Sequence, residues 1–400
     1  MSVRSGQFNA IWWSSESNFA RCYTSQFVAA PEQTCDSPYT RSLIMDRRRF
    51  IQSLSVAALS GTFPALSIAL PATTSVIAPS VQDSLAPTFA LTDEEWITKI
   101  GIIAIGGAGS SILRDTKNRL PHLTRTIAID DNPFTLHRSG ADLPILIEEC
   151  ERHTRGIQQA QNNYLKIADE VAASVKDLHM VFILSGLGGV VGTALAPKVA
   201  ETLSQLNIFN LALGITPFEF EGLRRQQIAL SGFNTVRRRS GTTFEISNQQ
   251  HAATQDESAN FAAVLDLAPT HFEQIYLATL KPMFEFSFVG VDFEDIRATL
   301  SHRGSGGFAM ASAHIDSVDR ATQTALSEVS RQVGNLKQAR GIVVVMESAK
   351  KTFRLRHVNE AMNIVKNHVD DDTYIIFSAH YDESLSDRFR ISLIANGNIS

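Results

Sequence analysis

Ser185-Gly186-Leu187-Gly188-Gly189-Val190-Val191-Gly192-Thr193-Ala194-Leu195-Ala196-Pro197 is the stretch on which the fold turns. The apolar run Met180 to Leu184 leads straight into it, so the segment reads as a buried parallel strand, a glycine turn and a helix. Such a turn offers backbone N–H groups and the positive end of a helix dipole, for which phosphate oxygens are the natural ligand. A second turn of this kind lies about eighty residues upstream, where Ile100 to Ile105 stops at Gly106-Gly107-Ala108-Gly109-Ser110-Ser111. Taken alone that turn is ambiguous. It is one residue short of GxGxxG, and Asp130, 21 positions after Gly109, would suit the ribose of a Rossmann dehydrogenase binding NAD(H). Its glycines could equally serve backbone geometry alone. Two such turns together suit one nucleotide whose phosphate chain spans both.

Working outward, Thr126 to Asp130 and Asn210 to Ile215 read as further strands, and Gln158 to Val175 as a long helix. In the last third, Gly341–Met346, Thr373–Phe377 and Phe389–Ile394 are strand-like, with a helical stretch near Val358–Val365. Strand–helix alternation predicts an α/β fold: a doubly wound parallel sheet joined to a smaller C-terminal α/β part. Composition agrees. Of 400 residues, 44% are hydrophobic and 19% charged, which supplies apolar surface for packed cores and argues against disorder. A net charge of −5 gives no reason to expect nucleic acid as a partner, and three cysteines are too few for a disulfide scaffold or a CxxC zinc site.

The motifs, taken in order, resemble the tubulin/FtsZ family, and within it the bacterial cell-division GTPases. Gly188-Gly189-Val190-Val191-Gly192-Thr193-Ala194 is similar to the family signature GGGTGTG. Thr216-Pro217-Phe218-Glu219-Phe220-Glu221-Gly222-Leu223-Arg224-Arg225 resembles its T-x-PF-x-FEG-x-x-R, and Gly290-Val291-Asp292-Phe293-Glu294-Asp295-Ile296 its N-x-DF-x-D-V synergy loop. Val358-Asn359-Glu360-Ala361 and the run from Asp382-Glu383-Ser384-Leu385 to Gly397 continue the likeness, which covers about 95–397.

The resemblance implies a parallel GTP-binding domain, a central helix and a smaller C-terminal domain. It implies GTP or GDP as ligand, with Mg²⁺ accompanying the nucleotide and no protein metal centre. Gly106, Gly107, Gly109, Gly188, Gly189, Gly192 and Thr193 would line the phosphates. Glu221 and Asn248 would meet the ribose, Arg225 the phosphate side, and Phe261 the purine. Asp266 would accept the guanine N1–H and N2–H. Asp292 and Asp295 would act in catalysis, reaching the next subunit's nucleotide to position water and metal, so that hydrolysis needs head-to-tail self-association. The blander assignments are surface charges for Glu221 and Asp266, a core position for Phe261, and a helix N-terminal pair for Asp292 and Asp295.

The chain also departs from the pattern. Val190 and Val191 replace a glycine and a threonine of the signature; position 190 would be strained if it needs positive φ, and a hydroxyl is lost at 191. After Thr154-Arg155-Gly156 the later glycines are missing, so Gln158 and Gln159 would crowd the terminal-phosphate side. Gly290 replaces an asparagine, about four extra residues fall in Met283–Val289, and Pro269 would break or kink the central helix. These departures keep a second reading in view: a catalytically weak or silent paralogue with an interaction or regulatory role, for which a conventional FtsZ would be a partner.

The expected domains are a leader at 1–94, a nucleotide-binding domain at 95–265, a central helix and connection at 266–285, and a C-terminal GTPase-activating-type domain at 286–400. Within the leader, Arg47-Arg48-Arg49-Phe50-Ile51 precedes an apolar run, Leu54 to Leu70, so that 45–72 reads as a signal-like or tether segment and the rest as disordered. Twin-arginine-like export and an alternative start at Met45 are one reading. Because GTP is a cytoplasmic resource, a cytoplasmic protein tethered to the membrane through 47–70 is the preferred one. That tether would stand in for the tail peptide by which the family recruits membrane anchors.

Overall fold

The computed structural model describes residues 98–397 apart from 153 and 256–259, so the leader, with its signal-like segment, lies outside the described residues. The strands are β1 (Ile100–Ile105), β2 (Leu123–Asp130), β3 (Leu143–Leu146), β4 (Met180–Gly186), β5 (Phe209–Thr216), β6 (Thr242–Ser247), β7 (Gly304–His314), β8 (Gly341–Ser348), β9 (Tyr374–Tyr381) and β10 (Arg388–Asn396). The helices are α1 (Gly106–Thr116), α2 (Pro133–Ser139), α3 (Thr154–Val175), α4 (Val190–Gln205), α5 (Leu223–Arg237), α6 (Asn248–Ala253), α7 (Phe261–Leu265), α8 (Leu267–Phe284), α9 (Phe293–Leu300), α10 (Val318–Val333) and α11 (Leu355–His368).

All ten strands form one sheet in the order β3-β2-β1-β4-β5-β6-β7-β10-β8-β9. The first six are parallel and reverse their order between β1 and β4, the place where a doubly wound sheet opens a crevice beyond its strand ends. β1 is buried at every position because neighbours flank it and helices cover both faces. Its side chains alternate accordingly. Ile100, Ile102 and Ala104 join Phe182, Phe272 and Tyr276 in one core, while Ile103 and Ile105 join Val171, Ile183 and Leu195 in the other.

The second half is not separately sheeted. β7 pairs parallel with β6 through Thr242–Gly304, Thr243–Ser305 and Phe244–Gly306. β10 then lies antiparallel between β7 and β8, and β9 closes the edge parallel to β8. The sequence signals for β3, β6 and β7 are weak. β7 reads Gly-Ser-Gly-Gly-Phe-Ala-Met-Ala-Ser-Ala-His, where small residues hide the alternation, and Gly306 sits so close to Thr242 and Phe244 that a Cβ would meet them at 2.4 and 2.7 Å.

The central helix is interrupted as its proline requires. α7 ends at Leu265 and α8 begins at Leu267. The Pro269 ring would clash with the carbonyl four residues back, that of Leu265, so it sits in the first turn of a new helix, where no N–H is needed. Lower down, Tyr276 donates its hydroxyl to the Pro121 carbonyl at 2.8 Å, holding α8 against the first half. Among the described residues no helix is long and apolar enough to cross a membrane.

Candidate functional site

A cleft of about 210 Å³ opens beyond the C-terminal ends of β1, β4 and β5. The N-termini of α1 and α4 both point into it, and neither has a side-chain cap. Starts without a side-chain cap occur also at α5, α8 and α10, while other helices are capped. α2 is capped by Asn132, α6 by Ser247, α7 by Asn260 and α9 by Asp292. The first-turn N–H groups of α1 and α4 therefore remain available to an anionic ligand, with two helix dipoles behind them.

The glycines divide by what a side chain would meet. At Gly107 and Gly189 an added Cβ would meet nothing within 4 Å, and both residues line the cleft. Gly106 and Gly192 also line it, in crowded positions: a Cβ on Gly106, at φ +73°, would meet the Gly192 nitrogen of the other turn at 3.3 Å, and a Cβ on Gly192 would meet the Gly186 carbonyl oxygen of its own turn at 2.2 Å. Gly109 and Gly188 are not lining residues. Gly109 lets α1 pack on β4, where a Cβ would meet the Leu184 oxygen at 2.3 Å, and Gly188, at φ +94°, lies under Arg225. Thr193 is buried, and its hydroxyl accepts the Gly188 N–H at 2.9 Å, which closes the turn.

Residues 99–255 match the Tubulin/FtsZ family GTPase domain model, and 306–398 match the FtsZ family C-terminal domain model. This chain belongs to the tubulin/FtsZ family. A cell division protein FtsZ from Bartonella bacilliformis is 29% identical over 232 residues, 57% of this chain and 39% of that protein. FtsZ 1 from Methanocaldococcus jannaschii is 28% identical over 313 residues, covering 75% of this chain and 83% of that one. The solved FtsZ dimer of M. jannaschii superposes with a TM-score of 0.64 at 24% identity, covering 76% of this chain and 90% of that one. The protofilament of Haloferax volcanii CetZ2 gives 0.62 at 19%, covering 75% and 93%. These likenesses confirm the tubulin/FtsZ fold.

Within this FtsZ-family cleft, Glu221 and Arg225 line one end and pair with each other, Nη1 to Oε2 at 2.9 Å, while Glu221 Oε1 accepts the Phe218 N–H at 2.9 Å. Asn248, the first residue of α6, lines the same end. Phe261 and Asp266 are not lining residues. Phe261 is 54% exposed and clusters with Phe218 and Phe220, at ring separations of 5.5 and 6.3 Å, next to the cleft-lining Pro217. Asp266 stands exposed at the α7–α8 break.

Asp292 and Asp295 lie apart from the cleft, at the start of α9. Asp292 Oδ1 accepts the Asp295 N–H at 2.9 Å and Asp295 Oδ2 accepts the Asp292 N–H at 3.2 Å, a reciprocal cap, and the Tyr374 hydroxyl donates to Asp295 Oδ1 at 3.3 Å. Within one subunit they are the helix N-terminal pair that their spacing allows.

The departures are absorbed without strain. Val190 opens α4 with an ordinary φ, since the described non-glycine residues with positive φ are His122, Asn207 and Ser386. Val191 is buried and joins the core cluster of Ile105, Ile183 and Leu195, and both valines also line the cleft. Gln158 and Gln159 do not crowd the cleft. The helix starts at Thr154 rather than near Gln158, Gln158 donates to Asn162, and Gln159 Oε1 accepts the Glu151 N–H at 3.0 Å.

Two charged lining residues were not legible as such. Asp130, read from the sequence as a ribose contact, stands at the β2 end of the cleft, opposite Glu221. Its carboxyl is nearly buried and accepts the N–H groups of Asp131 and Asn132 at 2.7 and 3.2 Å, and burial, with the adjoining Asp131 carboxyl, pushes its pKa up to about 6. Arg152 closes the run Glu148-Glu149-Cys150-Glu151-Arg152, which lies outside the motifs that carry the resemblance. No cluster of three or more His, Cys, Asp or Glu that could hold a metal occurs among the described residues.

Proposed function

We propose that the cleft binds guanine nucleotide and that the protein is an FtsZ-like GTPase, hydrolysing GTP at head-to-tail contacts in a filament that serves bacterial cell division. The observation that carries this reading is the convergence of two uncapped helix N-termini on one cleft at the sheet's switch point. The seven glycine and threonine positions form or brace that phosphate cradle, Glu221 and Asn248 take the ribose, and Arg225, paired with Glu221 and packed over Gly188, approaches the phosphates from the ribose end. The aromatic cluster of Phe218, Phe220 and Phe261 offers faces for the purine, and Asp266 selects guanine by accepting two N–H groups that adenine cannot present together. Mg²⁺ comes with the nucleotide, and Asp130 is the carboxylate at the phosphate end, placed to contact the hydrated ion. Asp292 and Asp295 act on a neighbouring subunit's nucleotide, orienting water. Boundaries at 95–265, 266–285 and 286–400 follow this division of labour, and the protein works in the cytoplasm, where GTP is found.

Purified protein should bind a fluorescent guanine nucleotide in competition with GTP but not with ATP, and turnover per molecule should rise with protein concentration. No guanine-nucleotide binding would refute the proposal.

A second reading, a silent paralogue that modulates a conventional FtsZ, is favoured by one observation: Asp292 and Asp295 already satisfy each other's cap. Turnover that stays at background while nucleotide binds and a conventional FtsZ changes its assembly would select it.

A further inference from the structure

The cleft has a direction. Along the sheet, β2, β1, β4, β5 and β6 follow one another, so Asp130 at the end of β2 and Asn248 after β6 mark its two ends. A nucleotide with its ribose at Glu221 and Asn248, as the proposed function places it, runs its phosphates across the N-termini of α4 and α1 and ends towards β2. The side chain waiting there is Arg152.

Its setting is built. Asp131, whose side chain is fully buried, accepts from Arg152 Nη2 at 3.1 Å through Oδ1 and from the Cys150 N–H at 3.2 Å through Oδ2. The guanidinium is therefore anchored by one edge while the residue stays 60% exposed and lines the cleft. The backbone carrying it is fixed as well. Gln159 holds the Glu151 N–H, Asn163 Nδ2 donates to the Glu148 carbonyl at 3.0 Å, and Gly156 lies so close under the Glu151 carbonyl that a Cβ would overlap it, with Val190 Cγ1 at 3.2 Å. The other cation lining the cleft, Arg225, is paired with Glu221 at the opposite end. A guanidinium carries five N–H donors in a planar fork, so one bond to Asp131 leaves the rest for phosphate oxygens.

We propose that Arg152 contacts the terminal phosphate and makes the site discriminate triphosphate from diphosphate, supplying from a side chain the donors that the missing loop glycines would have supplied from the backbone. This inference rests on the nucleotide reading above. The test compares GTPγS and GDP affinities for the full chain, for Arg152→Gln and for Arg152→Lys. Arg152→Gln should lose about tenfold or more in GTPγS affinity with GDP affinity little changed, as loss of a charge-assisted contact predicts. Arg152→Lys should recover part of the preference. A GTPγS preference that survives in Arg152→Gln overturns the assignment, and so does equal weakening of both nucleotides, which would mark a general role in cleft structure. If the unmodified chain binds neither nucleotide, the underlying reading fails first and takes this one with it.

Discussion

Gly107 and Gly109 are two residues apart and do different work. Gly107 faces the open cleft, whereas Gly109 is the contact that lets α1 lie against the Leu184 carbonyl. Gly107→Ala should leave the melting temperature nearly unchanged and weaken nucleotide binding, while Gly109→Ala should lower stability by about 1–3 kcal/mol through overpacking. Calorimetry and nucleotide titration on both variants separate the roles. Asp130 makes a pH prediction. Its carboxyl has a folded pKa raised from 3.8 to about 6 by burial and by Asp131, so the fold binds that proton more tightly than the unfolded chain does. The stability this contributes is fully present below 3.8 and is lost as pH rises through about 6. Asp130→Asn keeps an acceptor for the two backbone N–H groups, so it should be more stable than the parent at about pH 7.5 and no more stable at about pH 4, measured by chemical denaturation. A difference independent of pH would contradict this assignment.

At the scale of elements, α9 owes its start to the reciprocal cap of Asp292 and Asp295. Asp292→Ala should cost about 1 kcal/mol of folding stability. It should leave nucleotide affinity of the single subunit unchanged and remove the concentration-dependent part of GTP turnover. Loss of turnover at every concentration equally would instead place the residue inside its own subunit's site. The elements also show how much of the fold was legible. The runs that became β1, β2, β4, β5, β8, β9 and β10 announce themselves as apolar clusters, most plainly β1, β4, β5 and β8, which are buried almost throughout on both faces. The strand β7 does not, since its glycines and alanines are small to suit crowded neighbours, and that crowding exists only once Thr242, Phe244 and Val329 are in place. The α7–α8 break was legible from Pro269 alone, because its cause is local.

The whole molecule is held by groups far apart in the chain. Glu347 on β8, nearly buried, is bound by Arg390 on β10 at 2.8 and 3.0 Å and by Lys281 on α8, so one carboxylate ties the central helix to the C-terminal strands. Glu347→Ala leaves Lys281 with Glu285 and Arg390 with Asp382 as their remaining carboxylates and should destabilise by about 1–3 kcal/mol in urea unfolding. A second tie links His251 on α6 to His271 on α8 at 3.2 Å, with His271 against Phe308 on β7. Burial, with a smaller contribution from His251, lowers the His271 pKa from 6.5 to about 4. Its contribution to stability is complete above 6.5 and is lost as pH falls towards about 4. His271→Gln should flatten the loss of stability across that interval.

The amino-acid order by itself determined the strand–turn–helix units, the two glycine turns and the family, because apolar runs, glycines and prolines act over a few residues. Which glycines face a ligand and which face a strand, that Val190 and Val191 are unstrained, and that Asp130 and Arg152 stand at one end of the cleft were decided only by the tertiary structure. The physical reason is that these are properties of approach between segments: a carboxyl becomes buried, a guanidinium anchored or a helix end uncapped only when residues distant in the chain are packed around it.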